Sequence, residues 1–275
     1  MGVATKHRPH FKARPKAGQK QRVGSGTWEE KTNRHQRKLV RIYDEWAAKL
    51  KREISSRAKN GATIPELQSH LDGQIPVLEQ RLTEANAAGV RNAAKTVAGD
   101  RFERPAIQWT VDHLISDGET LIHNNLVPKV HEKLTIGLAA AVPAMIIGGL
   151  AVEQQRAVAL AIKNASAATR AAPAQYAGGY WVALFEVQKT DGIERDDERA
   201  VQGLPPEPVK WNLDPRAEHC KPSPGFYGCP ELAGEYPGGW RTLKTVPAGQ
   251  VTCRGNCRCN LTVFRDGEWR RGISN

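Results

Sequence analysis

The sequence predicts an α+β protein, with a mostly α-helical body followed by a small, β- and loop-rich, cysteine-containing C-terminal domain. Two observations carry this prediction. Apolar residues recur at helical spacings of three and four up to about residue 175. Beyond Gly178-Gly179 the pattern changes to β-branched and aromatic residues and then to Pro/Gly-rich loops, and all five cysteines fall between Cys220 and Cys259. The expected organisation is a flexible basic arm over 1–26, a helical domain over 27–175 and a C-terminal domain over 176–275.

A chain of 275 residues allows one or two domains with a sizeable core. Hydrophobic residues at 40% and charged residues at 25% exclude wholesale disorder and a polytopic membrane protein. The net charge of +11 is unevenly placed. Residues 1–60 hold 17 Lys+Arg against 5 acids, whereas the remaining 215 hold 23 against 24. The chain is a near-neutral body with a basic front end.

The arm contains Lys6, Arg8, Lys12, Arg14, Lys16, Lys20 and Arg22, with no acid before Glu29. It has too little apolar surface to offset its ordering entropy, so it is expected to be mobile when free. Its cations suit the phosphates of nucleic acid or an acidic protein partner, with a solubilising tail as the plainer reading. None of its residues forms a base-reading motif.

From Thr27 to Lys59, Leu39, Ile42, Tyr43, Trp46, Leu50 and Ile54 define the apolar face of a basic amphipathic helix, ended by Asn60-Gly61. Thr63-Ile-Pro-Glu66 reads as a capping box that opens helical sequence running to about Ala98. Pro105 opens another helix, carrying Ile107, Trp109, Val111, Leu114, Ile115, Leu121 and Ile122. The 19 residues from Leu134 to Val152 carry no charge. That length is within the range that spans a bilayer, but Pro143 and Gly148-Gly149 interrupt it, so a buried hairpin of short helices and a membrane-active segment both fit. An Ala-rich helix follows from Glu153 to Ala174. Tyr180 to Val187 reads as a strand, Asp191 to Arg199 as an exposed acidic loop, and Gly203 to Pro208 as a rigid connector.

The N-terminus has no apolar stretch after its charges, so no secretory signal is expected. Without one, five cysteines argue for a metal site or free thiols in a reducing compartment. Thiolate pairs on tight turns are what tetrahedral Zn²⁺ needs, and the ion would order glycine-rich loops that are poor in aliphatic residues. The preferred ligands are Cys220, Cys229, Cys257 and Cys259, with Cys253 or His219 as substitutes. Disulfide pairing on oxidation, with one thiol left over, is the alternative.

Trp211-Asn-Leu-Asp214, Glu218-His-Cys220, Cys229-Pro-Glu-Leu-Ala-Gly234 and Asn256-Cys-Arg-Cys259-Asn-Leu261 together resemble the C-terminal signature of phage minor head proteins, the Mu F-like head-morphogenesis family. The resemblance covers residues 211–261. The loop between Cys220 and Cys229 is longer than the family's close pair, and Cys253 stands near the place of a His in many relatives. The resemblance implies a structural protein of the virion, inside the capsid near the portal and in the host cytoplasm during assembly. Its implied partners are the portal protein, the major capsid or scaffold protein and packaged double-stranded DNA, with ejection alongside the genome; a transient host-membrane contact through residues 134–152 is expected from the uncharged run itself.

Enzymatic readings find little footing. Asp112-His113, His123 and His131 lack an HExxH arrangement, and neither a Walker loop nor a GxSxG elbow is present. Asp191, Glu194, Asp196, Asp197 and Glu198 cluster as a nuclease would require, but are expected to be solvated. The competing class is a zinc-containing DNA-binding protein that uses the basic arm. Residues 211–275, with nine basic and six acidic groups, offer such a reader little charge of their own.

Overall fold

A computed structural model describes residues 28–141, 151–170, 172–173, 178–214, 220–247, 249–252 and 259–271. The described chain is mostly helical and carries a four-stranded antiparallel sheet near its C-terminal end, an α+β fold as the sequence predicts.

The helices α1 (Trp28–Lys59) and α2 (Ile64–Ala98) pack against each other across the short Asn60-Gly61 turn. Gly61 adopts φ 85°, the left-handed conformation that glycine enters without steric penalty. At the start of α2 the carboxylate of Glu66 accepts from the Thr63 N–H at 2.7 Å and from the Thr63 hydroxyl at 2.8 Å. The apolar stripe of α1 is buried as its spacing requires, from Leu39 through Tyr43, Trp46 and Leu50 to Ile54. The Trp46 indole N–H donates to the Gln74 carbonyl of α2 at 3.0 Å.

α3 (Pro105–Leu121) leads through a single π-turn, Ile122–Leu126, into α4 (Val127–Ala140). Pro128 has no N–H for the ordinary helical bond to Asn124, and the wider turn precedes it. Trp109 does not join the apolar face of α3; it is 70% exposed and stacks on His113 with ring centroids 5.4 Å apart. α5 (Ala151–Thr169) packs on both α1 and α4. Tyr43 ties α1 to the end of α5 through hydrogen bonds to the Thr169 hydroxyl and the Ser166 carbonyl.

The two halves of α2 serve two cores. Its first half packs with α1, α4 and α5, and its second half, from Ala87 to Ala98, with α3 and the long helix α6 (Gly178–Val201). The apolar run expected at Leu134–Val152 divides accordingly. Leu134, Leu138 and Ala141 are buried in the first core, whereas residues 142–150 lie outside the described residues. Among the described residues, no helix is long and apolar enough to cross a membrane.

α6 overturns two sequence expectations. Tyr180 to Val187 is helical rather than a strand, and Asp191 to Arg199 continues the same helix rather than forming an exposed loop. The physical reason is burial on two sides. Tyr180, Ala183, Leu184 and Val187 join the second core, while Phe185 joins a third core beneath the sheet. A helix buried on two faces loses its one-sided pattern and reads as a continuous apolar run. It ends in a Schellman motif, with Leu204 N–H bonded to the Arg199 carbonyl at 2.9 Å and Gly203 N–H to that of Ala200 at 3.0 Å.

The sheet has the order β2-β1-β3-β4, built from β1 (Val209–Asn212), β2 (Gly234–Tyr236), β3 (Asn260–Arg265) and β4 (Glu268–Arg271). Trp211 of β1 lies opposite Gly234 on one side and Leu261 on the other. β3 and β4 form a hairpin whose turn residues Asp266 and Gly267 both have positive φ, 51° and 81°.

Candidate functional site

The residues singled out around the cysteines converge. Trp211, Cys229, Cys259 and Leu261 are buried in one core, and Cys220 packs against it. The nine-residue step from Cys220 to Cys229 is closed by a tight turn. Ser223 and Phe226 exchange backbone hydrogen bonds of 3.1 and 2.8 Å, with Gly225 at φ 78°. The loop therefore returns on itself, and the Cys220 carbonyl lies 2.7 Å from where a Cβ on Gly228 would sit. Only glycine allows that approach, which holds the Cys220 backbone beside the start of the short helix α7 (Cys229–Leu232).

The described residues up to Thr252 and from Cys259 onward are each tied to the rest of the module. Tyr227 N–H donates to the Gln250 carbonyl at 2.9 Å, and the Thr252 hydroxyl donates to the Lys221 carbonyl at 2.7 Å. Asn260, immediately after Cys259, pairs with Asn212 of β1. Cys253, Cys257 and His219 lie outside the described residues, as do all seven cations of the arm, Lys6 to Arg22. Among the described residues, no three His, Cys, Asp or Glu side chains are placed to hold a metal ion.

Of the acidic residues of α6 expected to be solvated, Asp197 and Glu198 are exposed and Glu194 is half-buried, whereas Asp191 and Asp196 are buried in its seams. Asp191 is bonded to Arg101 at 2.5 Å and to Arg195 at 2.8 Å, and Glu198 binds both Arg101 and Arg104. These guanidinium hydrogen bonds hold the Glu198 carboxyl down at about 2. On the opposite side, buried Asp196 accepts from the backbone N–H of Glu207 at 2.9 Å and of Trp240 at 3.2 Å. Burial pushes the Asp196 carboxyl up, against the pull of those donors. Lys189 donates to the Leu243 carbonyl at 3.0 Å, and Arg241 clamps Asp197 at 2.7 Å. The cluster thus fastens the cysteine module to the helical body, and each carboxylate named here has a cationic or backbone partner.

Among the histidines, His131 pairs with Asp72 at 2.8 Å and His123 with Glu79 at 2.6 Å. The latter pair lines an open cleft of about 400 Å³ with Glu119 and Asn124 at the π-turn. A second cleft, of about 510 Å³, lies between α1 and α5 and is lined by Lys51, Arg52 and Lys59. Sequence reasoning placed Lys51 and Arg52 on the basic part of this helix but had no means of finding the facing residue, Gln155, which α5 supplies. It read Asp196 only as a solvated acid and missed Gly192 and Trp240; the one sequence signal for that seam is a glycine on a helix otherwise rich in large side chains.

Compared with protein families, curated proteins and solved structures, the chain matches none.

Proposed function

We propose that this chain is a minor head protein of a tailed bacteriophage, acting in head morphogenesis from inside the capsid near the portal. The observation that supports the reading best is the common core of Trp211, Cys220, Cys229, Cys259 and Leu261. These residues come from three separate stretches of the chain, and they carry the resemblance to the Mu F-like family. The role is structural rather than catalytic. Portal protein and the major capsid or scaffold protein are the protein partners, and the arm from Lys6 to Arg22 contacts packaged double-stranded DNA. Assembly takes place in the host cytoplasm, and the chain leaves with the genome at ejection. Contact with a host membrane through residues 134–152 belongs to a state in which Leu134 and Leu138 have left the first core.

The module is a zinc domain in this reading. Cys220 and Cys229, brought together by their closed loop, supply one pair of thiolates, and Cys257 and Cys259 the other, with Cys253 and His219 as substitutes. The donor chemistry fits, because thiols on tight turns in a loop-rich core suit a closed tetrahedral ion. Zinc there would order the loops and supply no reaction chemistry.

Co-sedimentation of the purified chain with its cognate portal ring tests the proposal. Stoichiometric binding supports it, and failure to bind portal, scaffold or major capsid protein overturns it. Deleting residues 1–26 and following both DNA affinity and capsid incorporation separates it from the zinc DNA-binding alternative, for which the arm serves DNA and not assembly. The head-protein reading expects DNA affinity to fall at least tenfold while capsid incorporation persists. Undiminished DNA affinity would favour a DNA-reading cysteine domain.

A further inference from the structure

We propose that the cleft between α1 and α5 is a phosphate-binding site that takes the backbone of nucleic acid. Its walls carry six polar groups of matching chemistry: the ammonium groups of Lys51 and Lys59, the guanidinium of Arg52, the hydroxyls of Ser55 and Ser56, and the amide of Gln155. No carboxylate among the described residues lines it. Among the described residues Lys51, Arg52 and Lys59 make no ion pair, whereas Lys49 and Arg41 elsewhere on α1 are paired with Glu53 and Glu45.

The second, independent observation is Ser55. This residue is 6% exposed, and among the described residues its hydroxyl has no hydrogen-bond partner. A serine within a helix ordinarily satisfies its hydroxyl on the carbonyl one turn back, which here is that of Lys51. Ser55 does not, and it stands in the wall of the cleft between two lysines one helical turn away on either side. A buried donor left unused beside three unpaired cations fits a ligand that is all acceptor and carries negative charge. An oxyanion with several oxygens, a phosphate group, is that ligand.

Two features favour a polymer over a free ion. Lys51 and Lys59 are separated by about 12 Å along the helix axis, at about 1.5 Å per residue, which is more than one phosphate spans. In addition, α1 continues directly from the arm with its seven cations, so the cleft lies on the same cationic stretch of chain. The choice of nucleic acid as the source rests on the head-protein reading; the phosphate site itself does not.

Lysine acylation footprinting on the full chain, read by mass spectrometry, tests this with three probes: a 30-base-pair duplex, inorganic phosphate and phosphatidylglycerol vesicles. The duplex is expected to slow acylation of Lys51 and Lys59 at least fivefold, while Lys129 and Lys133 on α4 react unchanged. In a companion measurement, the full-length R52Q/K59Q variant is expected to reduce the slope of log affinity for the duplex against log salt by about 2. These substitutions are at exposed positions. Protection of the arm lysines alone, with an unchanged slope, overturns the cleft and leaves the head-protein reading standing. Protection by inorganic phosphate or vesicles but not by duplex overturns nucleic acid as the source. If the duplex protects Lys51 and Lys59 but the chain ignores the portal ring, the site stands and the head-protein reading falls.

Discussion

The indole of Trp240 is seated against Gly192 of α6 so closely that a Cβ there would fall 2.3 Å from Cε2 and 2.4 Å from Nε1. The glycine is a notch, and the indole fills it at the join between the helical body and the cysteine module. Trp240 belongs to the third core with Trp211 and Cys259, so this contact lies close behind the residues that carry the proposed function.

Gly192→Ala therefore has an inverted sign. In an open helix the change stabilises by about 1 kcal/mol through propensity. Here the methyl meets a buried ring that cannot retreat, and overpacking of this kind costs about 1–3 kcal/mol. Denaturant unfolding followed by tryptophan fluorescence should place the variant below the parent, and Trp240→Leu should recover part of the loss when combined with it. A stabilised Gly192→Ala would mean that the seam yields.

How much of this was legible in the sequence depends on whether the signal was local. The stripe from Leu39 to Ile54 and the Thr63–Glu66 cap were readable because one turn of helix fixes each. α6 was not, since its second buried face exists only once the sheet is in place against Phe185. Asp196 looked like a solvated acid for the same reason: its partners, the N–H groups of Glu207 and Trp240, lie 11 and 44 residues away. The β3–β4 hairpin turns on Asp266-Gly267, a favoured two-residue turn and a local signal that the sequence reading passed over. The cysteine cluster was readable as a cluster, but the turn that closes Cys220 onto Cys229 emerges from backbone pairing between Ser223 and Phe226.

Asp196→Ala should detach the seam from the other side. It strands two N–H groups, and unsatisfied buried donors cost about 1–3 kcal/mol each. Proteolysis is expected to cut first within residues 202–208 in the variant. The acid response carries a definite sign. Because burial raises the folded carboxyl above its unfolded value of 3.8, the folded state takes up its proton first as pH falls. The penalty for burying the charge is present at neutral pH and is relieved through that raised value. Asp196→Asn should lack this relief, visible as a flatter acid limb when unfolding is measured at a series of pH values.

The proposed zinc gives a chemical test. Protein purified under reducing conditions should contain about one zinc per chain. Cys229→Ser and Cys259→Ser should each lose it, together with resistance to heat, whereas the parent should lose both on chelation. Absence of zinc, with thiol titration revealing two pairs oxidised, would transfer the cysteines to disulfides. Cys229 and Cys259 are buried at 0% and 1% exposure, so serine also introduces a buried hydroxyl. Alanine at the same positions separates that packing effect from loss of a ligand.

His35 supplies a pH-dependent joint between α1, α2 and α6. It is 6% exposed, stacks on Tyr180 of α6 with centroids 5.3 Å apart, and fits into α2 at Gly89, where a Cβ would lie 2.2 Å from its ring. Among the described residues its Nε2 has no hydrogen-bond partner. Burial first, and repulsion from Lys38 second, lower its pKa from 6.5 to about 4. The folded state therefore resists protonation that the unfolded chain accepts. Stability is unaffected above pH 6.5, falls between 6.5 and about 4, and falls no further below that on this account. The drop amounts to about 3 kcal/mol at most. His35→Phe should remove it, so the stability difference between variant and parent should widen as pH is lowered from 7 to 4. Gly89→Ala should destabilise at every pH by driving a methyl into the ring, and His35→Ala should rescue it, since the two effects share one contact. A parent whose stability is flat across that window would place the ring in water rather than against Gly89 and Tyr180.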